Sequence, residues 1–570
     1  MAAVSCAHLA ILLCLTISAT AIAAAYRPTT FFEVDRPIRP PPSSSGRCST
    51  LLLSGSFGNT LSKPPVTAAY SPPRCLAAAG GRASAISLAV LEWRATCRGV
   101  QLDRVFGVWL GGAELLRGTT AAPPPSGIAW SVSKDVTRYA SLLAAGNSTL
   151  AVYLGNLVNA TLTGVYRADV TLHLYFSRRA PARGPPPSPA TGPADLIVPV
   201  SRGLPPTGGG LWYPIQSAAD AASARVALPS NTYRAVLELY VSSHGDDESW
   251  YTNQPGFHNG PFREVTIRVD GVLAGAVCPF PVIYAGGIYP LLWRPIAPIG
   301  SFNLQTYDVE LTPFLGTLLD GKAHELGFAV TNAMGVWYVD ANLHLWLDHG
   351  SAATTAGLVN YAAAPAANTT SSKSGDPVDT HYHATASRAV SATGWVNSSY
   401  GNITTNATRG FALEYTQTLE TLDQAIVASA GVVATDHGAA AAGVLYSVQT
   451  RGSFPLQWFY ETGRLTVTHG LEETTVAGGR WWSGPRSRWL RTTQSSVVED
   501  EEGGGKSWGV SQTYRYQAAA DGCYFRNVTS SNYTVVSDHS DEVCVKEASA
   551  GVGVVTAAAT GAGKDGPVRN

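Results

Sequence analysis

The sequence lacks a dominant charge. Across 570 residues, 39 Lys and Arg stand against 40 Asp and Glu, a net charge of -1. Binding to nucleic acid or to an anionic membrane rests on a basic surface that neutralises phosphates, and this composition supplies none. The familiar catalytic signatures are also missing. There is no GxSxG elbow, no HExxH, no Walker loop and no GxGxxG following a strand. No CxxC or HxxxH spacing marks a metal site, so neither metal nor cofactor is expected. After the first 25 residues no apolar run is long enough to cross a bilayer, which rules out a helical membrane anchor further along the chain. The terminal KDGPVRN is charged and polar, unlike the apolar tail of a lipid-anchor signal. Long helical periodicity is absent; only a short stretch, 135–145, reads as a helix.

What is present points to the secretory route. Residues 1–25 carry an apolar run from Leu9 to Ile22 followed by small residues, the pattern of a cleaved signal peptide. Removing it leaves six cysteines, Cys48, Cys75, Cys97, Cys278, Cys523 and Cys544, an even set that reads as disulfides in an oxidising compartment. Cys523 and Cys544 flank a hairpin and are expected to pair, and the other four allow three connectivities. Eight sequons, at Asn147, Asn159, Asn368, Asn397, Asn402, Asn406, Asn527 and Asn532, predict exposed, glycosylated positions.

The dominant pattern is a succession of short alternating segments rich in β-branched and aromatic residues, separated by Gly, Pro, Asn and Asp. It predicts an all-β chain: two adjacent jelly-roll-like antiparallel sandwiches and a further β-rich domain. The imperfect phase of GVYRADVTLHLYF predicts a bulge near Arg167. Proline-rich and Ser/Thr-rich stretches divide the chain into sandwiches at 26–178 and 194–350 and a C-terminal domain at 385–550, with linkers at 179–193 and 351–384 and a disordered tail at 551–570. The acidic, glycine-rich 498–507 reads as a hairpin tip.

With the standard motifs missing, chemistry falls to carboxylates with aromatic and Arg neighbours, a set that suits sugars. Three clusters qualify. LDRVFGVWLGG places Asp103 and Arg104 at the head of a strand. The loop 242–267 holds His244, Asp246, Asp247, Glu248, Trp250, Tyr251, Asn259 and Glu264, and 283–296 holds Trp293 and Arg294 beside a turn. Any one of these charges is more often a solvated strand end, but clusters from two adjacent domains can converge at their interface.

The segments FFEVDRPI, LEWRATCRGVQLDRVFGVWLGGAELLR, LAVYLGNLVNATLTGVY, HGDDESWY, NGPFREV, FPVIYAGGIYPLLWRPI and YDVELTPFLGTLLDGKAHELGFAV closely resemble the plant-type peptide N-glycanase A family. A fainter similarity extends to the bacterial peptide N-glycanase F enzymes, two sandwiches with the active site at their junction. The resemblance implies that Asp103 is the essential carboxylate with Arg104 beside it, and that Trp293 and Arg294 contact the glycan. A second carboxylate falls to Glu248 or Glu264, since HNGPFREV lacks the bacterial Glu. A third bacterial carboxylate position is occupied here by Gly155 or Asn156. Trp250, His244 and Asn156 complete the expected substrate contacts.

The implied reaction is hydrolysis of the Asn side-chain amide to the first N-acetylglucosamine of N-glycosylated peptides or denatured glycoproteins, leaving Asp and a glycosylamine. Asp103 would orient or deprotonate water, or hold the amide N–H, and Glu248, Glu264 or His244 would deliver a proton. The signal and the sequons predict the secretory route to an extracellular, cell-wall or vacuolar location, and the resemblance implies cleavage into two associated chains. A lectin-like sandwich, a glycoside hydrolase and an inactive paralogue are the rival readings.

Overall fold

In a computed structural model, the structure describes residues 28–177, 192–203, 208–376, 379–437, 443–501, 504–519 and 521–544. The expected signal peptide, most of the Pro-rich linker and the C-terminal tail lie outside the described residues. Among those residues strands dominate, as the alternation predicts.

The first sandwich faces a five-stranded sheet, ordered Thr29–Thr30, Ile128–Asp135, Ile86–Arg98, Val165–Ser177 and Ser44–Phe57, against a four-stranded one, Val66–Tyr70, Ser148–Leu154, Val105–Leu110 and Ala113–Thr119. Both sheets bury their inward residues in one core that includes Trp93, Phe106, Trp130 and Tyr166. The strand Val165–Ser177 corrects the expected bulge. Tyr166, Ala168, Val170, Leu172, Leu174 and Phe176 all point inward in unbroken alternation, and the register shifts sit on its partners instead, between Ser44 and Arg47, between Leu51 and Leu53 and between Ile86 and Leu88. The inward phase starts at Tyr166, not at Val165, so the segment alternates without a break. The helix expected at 135–145 forms as one turn, Thr137–Tyr139, running into Ala140–Ala144.

The second sandwich pairs the sheet Leu196–Val200, Trp337–Leu347, Thr232–Ser243 and Thr306–Glu310 with the sheet Ala221–Val226, His324–Thr331, Glu264–Val269 and Val272–Val277. Every residue of Ala113–Thr119 is buried, Glu114 and Arg117 included. An edge strand of a lone sandwich would expose one face; this one is covered because the second sandwich packs on it. Thr119 N–H donates to the Ser301 carbonyl at 2.8 Å, Leu304 N–H to the Arg117 carbonyl at 2.9 Å, and the Asn342 amide exchanges bonds with the Glu114 backbone at 3.1 and 2.7 Å.

The third unit is one 11-stranded antiparallel sheet running from Thr355–Ala363 to Thr534–Asp541. It begins inside the expected linker 351–384, because Thr355–Ala363 and Asn368–Gly375 pair side by side with Thr380–Ser398. Asn368–Gly375 is wholly exposed, so backbone ladder bonds rather than apolar burial hold it, which is why its Ser/Thr composition read as a linker. The sheet's inward residues, among them Phe411, Leu413, Tyr415, Ile426 and Leu456, merge with the core of the second sandwich.

The expected Cys523–Cys544 bridge closes the hairpin Gly522–Ser531/Thr534–Asp541, and Cys48 pairs with Cys75. Cys97 and Cys278 correct the reading of a full disulfide set. Both are free and buried, in the separate cores of the first and second sandwiches, and therefore out of each other's reach. All eight sequon asparagines are exposed.

Candidate active site at the junction of the two sandwiches

The stretch 101–104 is pinned from several sides before its functional groups are reached. Gln101 Nε2 donates to the Leu157 and Gly164 carbonyls, Tyr166 Oη donates to the Leu102 carbonyl, and Arg104 N–H donates to Thr120 Oγ1 at 3.0 Å. Asp103 is thereby held at the mouth of strand Val105–Leu110 and turned toward the second sandwich, where Gly286 N–H donates to its Oδ2 at 3.0 Å. A Cβ at position 286 would lie 2.7 Å from Asp103 Oδ1, so this approach needs glycine.

Burial pushes the Asp103 carboxyl above its ordinary value, against the opposing pull of the Gly286 N–H and the Arg104 charge. Glu248, on the loop after Thr232–Ser243, responds to the same site: burial first, and then the Asp103 charge, raise it to about 7. Glu248 therefore senses the Asp103 charge across the sandwich junction. Tyr251 feels both charges, and Tyr284 feels Glu248 while donating its hydroxyl to the Ser243 carbonyl at 2.9 Å. An aromatic wall continues outward. His244 stacks on Tyr284 with ring centroids 5.4 Å apart and leans on Tyr338 at 4.8 Å, and Tyr338 stacks on Trp212 at 4.9 Å.

The remaining predicted residues fall into other places. Glu264 does not join the pair: Thr331 Oγ1 donates to it at 3.0 Å and Arg388 of the third sheet sits 3.4 Å away, while burial raises it and Arg388 opposes that rise. His244 is pushed down to about 3 by burial and then by the Arg117 guanidinium, so it is a neutral imidazole at ordinary pH. Trp293 is fully buried and donates its Nε1–H to the Gly287 carbonyl at 2.8 Å, and Trp250 is buried against Tyr251 and Trp337. Neither ring offers a face to a sugar; both set the loops that carry Gly286 and Glu248. Arg294 Nη1 donates to Tyr533 Oη at 2.7 Å, tying that loop to the third sheet. Buried Asn156 donates to the Phe57 and Gly164 carbonyls and braces the first sandwich. Arg104 stays beside Asp103, with Nη2 on Gln101 Oε1 at 2.8 Å and a buried Nε that has no partner among the described residues.

Beneath the pair lies a polar network that the sequence did not reveal. Arg117 donates to Glu114 from Nε and Nη2, at 2.8 and 2.6 Å, and reaches Ser242 Oγ and the Tyr338 carbonyl from Nη1. Alongside it, Glu238 accepts from Tyr139 Oη at 2.5 Å and contacts His344 at 3.0 Å; burial would raise this carboxyl, but Arg138 and His344 hold it well below its ordinary range. The only sequence signal for Gly286 is the double glycine in IYAGGIYP. Nothing local marks Tyr338 or Trp212, which arrive from a distant strand and loop.

The family model described as peptide N-acetyl-beta-D-glucosaminyl asparaginase amidase A matches residues 37–364, and the chain belongs to this amidase family. The peptide-N4-(N-acetyl-beta-glucosaminyl)asparagine amidase A of Prunus dulcis is 43% identical over 552 residues, covering 91% of this chain and 94% of that protein. Among solved structures, the PNGase F glycosylasparaginase of Flavobacterium meningosepticum aligns with 53% of this chain and 96% of its own at 14% identity and a TM-score of 0.36. PNGF-II aligns with 53% of this chain and 65% of its own at 12% identity and a TM-score of 0.37.

Proposed function

We propose that the chain is a glycoamidase that hydrolyses the amide between an asparagine side chain and the first N-acetylglucosamine of an N-glycosylated peptide, releasing the glycan as a glycosylamine and leaving aspartate. The observation that carries this reading is the pair Asp103 and Glu248. They are two carboxyls from two sandwiches, both raised by burial, the second raised further by the first.

Amide hydrolysis needs an activated water, stabilisation of the carbonyl oxygen and a proton for the leaving nitrogen. Ionised Asp103, oriented by the Gly286 N–H, takes a proton from water as its oxygen bonds to the amide carbon. Arg104, next to it, is the group available to the developing oxyanion. Glu248, near neutral pH still partly protonated, gives its proton to the nitrogen as the C–N bond breaks, and the proton taken by Asp103 restores Glu248 afterwards. The half-buried rings of His244 and Tyr338, backed by the buried Trp212, supply the apolar surface against which sugar rings pack.

Two disulfides and eight exposed sequons support passage through an oxidising secretory compartment. Among the described residues no helix is long and apolar enough to cross a membrane. The test is mass spectrometry of a defined glycopeptide incubated in heavy-oxygen water. Asn converted to Asp with one heavy oxygen supports the reading, and an N-acetylglucosamine stub left on Asn rejects it in favour of a glycosidase. Binding without any product would leave a lectin.

A further inference from the structure

A groove of about 350 Å³ opens where the third sheet overhangs the loops of the candidate site. Ser249, Thr252 and Ile288 of the second sandwich line one side, and Leu419, Trp458 and Tyr460 of the third sheet line the other. Its second-sandwich wall adjoins the residues of the proposed catalytic pair along the chain. Ser249 follows Glu248 directly, and Ile288 lies two residues beyond Gly286, whose N–H holds Asp103.

Three features show that the groove is an open, uncharged site rather than packing. Leu419 is 83% exposed and Tyr460 50%, although Tyr460 lies on the same face of its strand as the buried Phe454 and Leu456. The strand has run past the body it covers, and its inward face there meets nothing. Ile288 holds a φ of +58°, a conformation that costs a β-branched residue energy, and in it the side chain reaches the groove. No charged residue lines the groove. Ile288, Leu419, Leu465 and the Trp458 ring give it an aliphatic and aromatic lining with no carboxylate, guanidinium or amide to fix a sugar, and an apolar side chain is the ligand this lining fits.

We propose that this groove binds an apolar side chain of the peptide next to the glycosylated asparagine, so that the third sheet sets peptide specificity for a reaction performed by the two sandwiches. The proposal rests on the glycoamidase reading for the position of the asparagine.

The test compares kcat/KM for two glycopeptides of identical glycan, one with Leu and one with Ser flanking the asparagine on both sides. Wild type prefers the Leu peptide by about tenfold, the scale of one well-buried apolar contact. Trp458→Ala and the exposed Leu419→Ser lower the Leu peptide toward the Ser peptide and leave the Ser peptide unchanged, with the loss mainly in KM, while Trp458→Phe keeps most of the preference. Equal losses on both peptides, or active wild type with no preference, overturn the proposal. So does a Trp458→Ala defect that disappears when the glycan is trimmed to one N-acetylglucosamine, since the groove would then hold sugar. Calorimetry of the two glycan-free peptides tests the groove apart from turnover. Tighter binding of the Leu peptide, lost in Trp458→Ala, upholds it even if no glycopeptide is cleaved and the glycoamidase reading falls, and equal binding overturns it.

Discussion

The second sandwich presents two faces, and they are built on opposite principles. The face toward the first sandwich is polar and interlocked. Glu114, Arg117, Glu238, Asn342 and His344 are all buried there, joined by hydrogen bonds of fixed direction. The face toward the third sheet is a merged apolar core in which the Glu264–Arg388 contact, at 3.4 Å, is a looser ionic one. Apolar burial holds surfaces together without fixing their relative position closely, whereas directional bonds between buried charges fix register. The proposed catalytic pair takes one carboxyl from each sandwich, so on that reading the junction that must be fixed is the polar one. The third sheet needs only to cover, and its overhang is free to bind.

Breaking each face separates these roles. The largest effect is expected from Asp103→Asn, which should reduce hydrolysis by roughly 10³-fold, within the range for loss of a general base, without changing thermal stability. Mass spectrometry of released glycan alongside a melting curve measures both. Arg117→Met leaves Glu114 buried and unpaired, and unfolding in denaturant should show a loss of about 3–5 kcal/mol. Gly286→Ala drives a Cβ toward Asp103 Oδ1, and kcat should fall by roughly 10²-fold with the fold intact. On the opposite face, Glu264→Gln should leave kcat within about threefold of wild type, because its side chain serves packing rather than chemistry, and should cost about 1 kcal/mol of stability. A fall in kcat as deep as that of Asp103→Asn would place Glu264 in the reaction.

Strand composition made the all-β class and most strand positions legible, because alternation of inward and outward residues is a local property. Asp103 and Arg104 were legible only through their resemblance to a family motif; composition alone made Asp103 a strand-end charge. Three things were not legible for physical reasons. Glu248 and Glu264 sit in one continuous stretch of similar chemistry, and only the fold shows that the first faces the junction and the second the third sheet. Trp250 and Trp293 carry the composition of sugar platforms, yet burial turns both rings inward. The strand Asn368–Gly375 has no apolar residue to report it, since its hydrogen bonds come from its neighbour.

A pH effect on stability arises away from the site. Glu33 accepts the Phe302 N–H at 2.6 Å, and burial raises its carboxyl to about 8. Ionisation begins near the ordinary carboxyl range in the unfolded chain but only near 8 in the folded one, so this group's contribution to stability falls as pH rises from about 4.5 to about 8. Glu33→Gln should flatten that slope in melting curves across this window.

The central claim, that Asp103 and Glu248 divide base and acid work across the sandwich junction, is tested most directly by the pH dependence of kcat/KM on a defined glycopeptide. Wild type should lose activity as pH rises through about 7, where Glu248 gives up its proton, and the slower Glu248→Gln should lack that descending limb. An unchanged limb in Glu248→Gln would contradict the account.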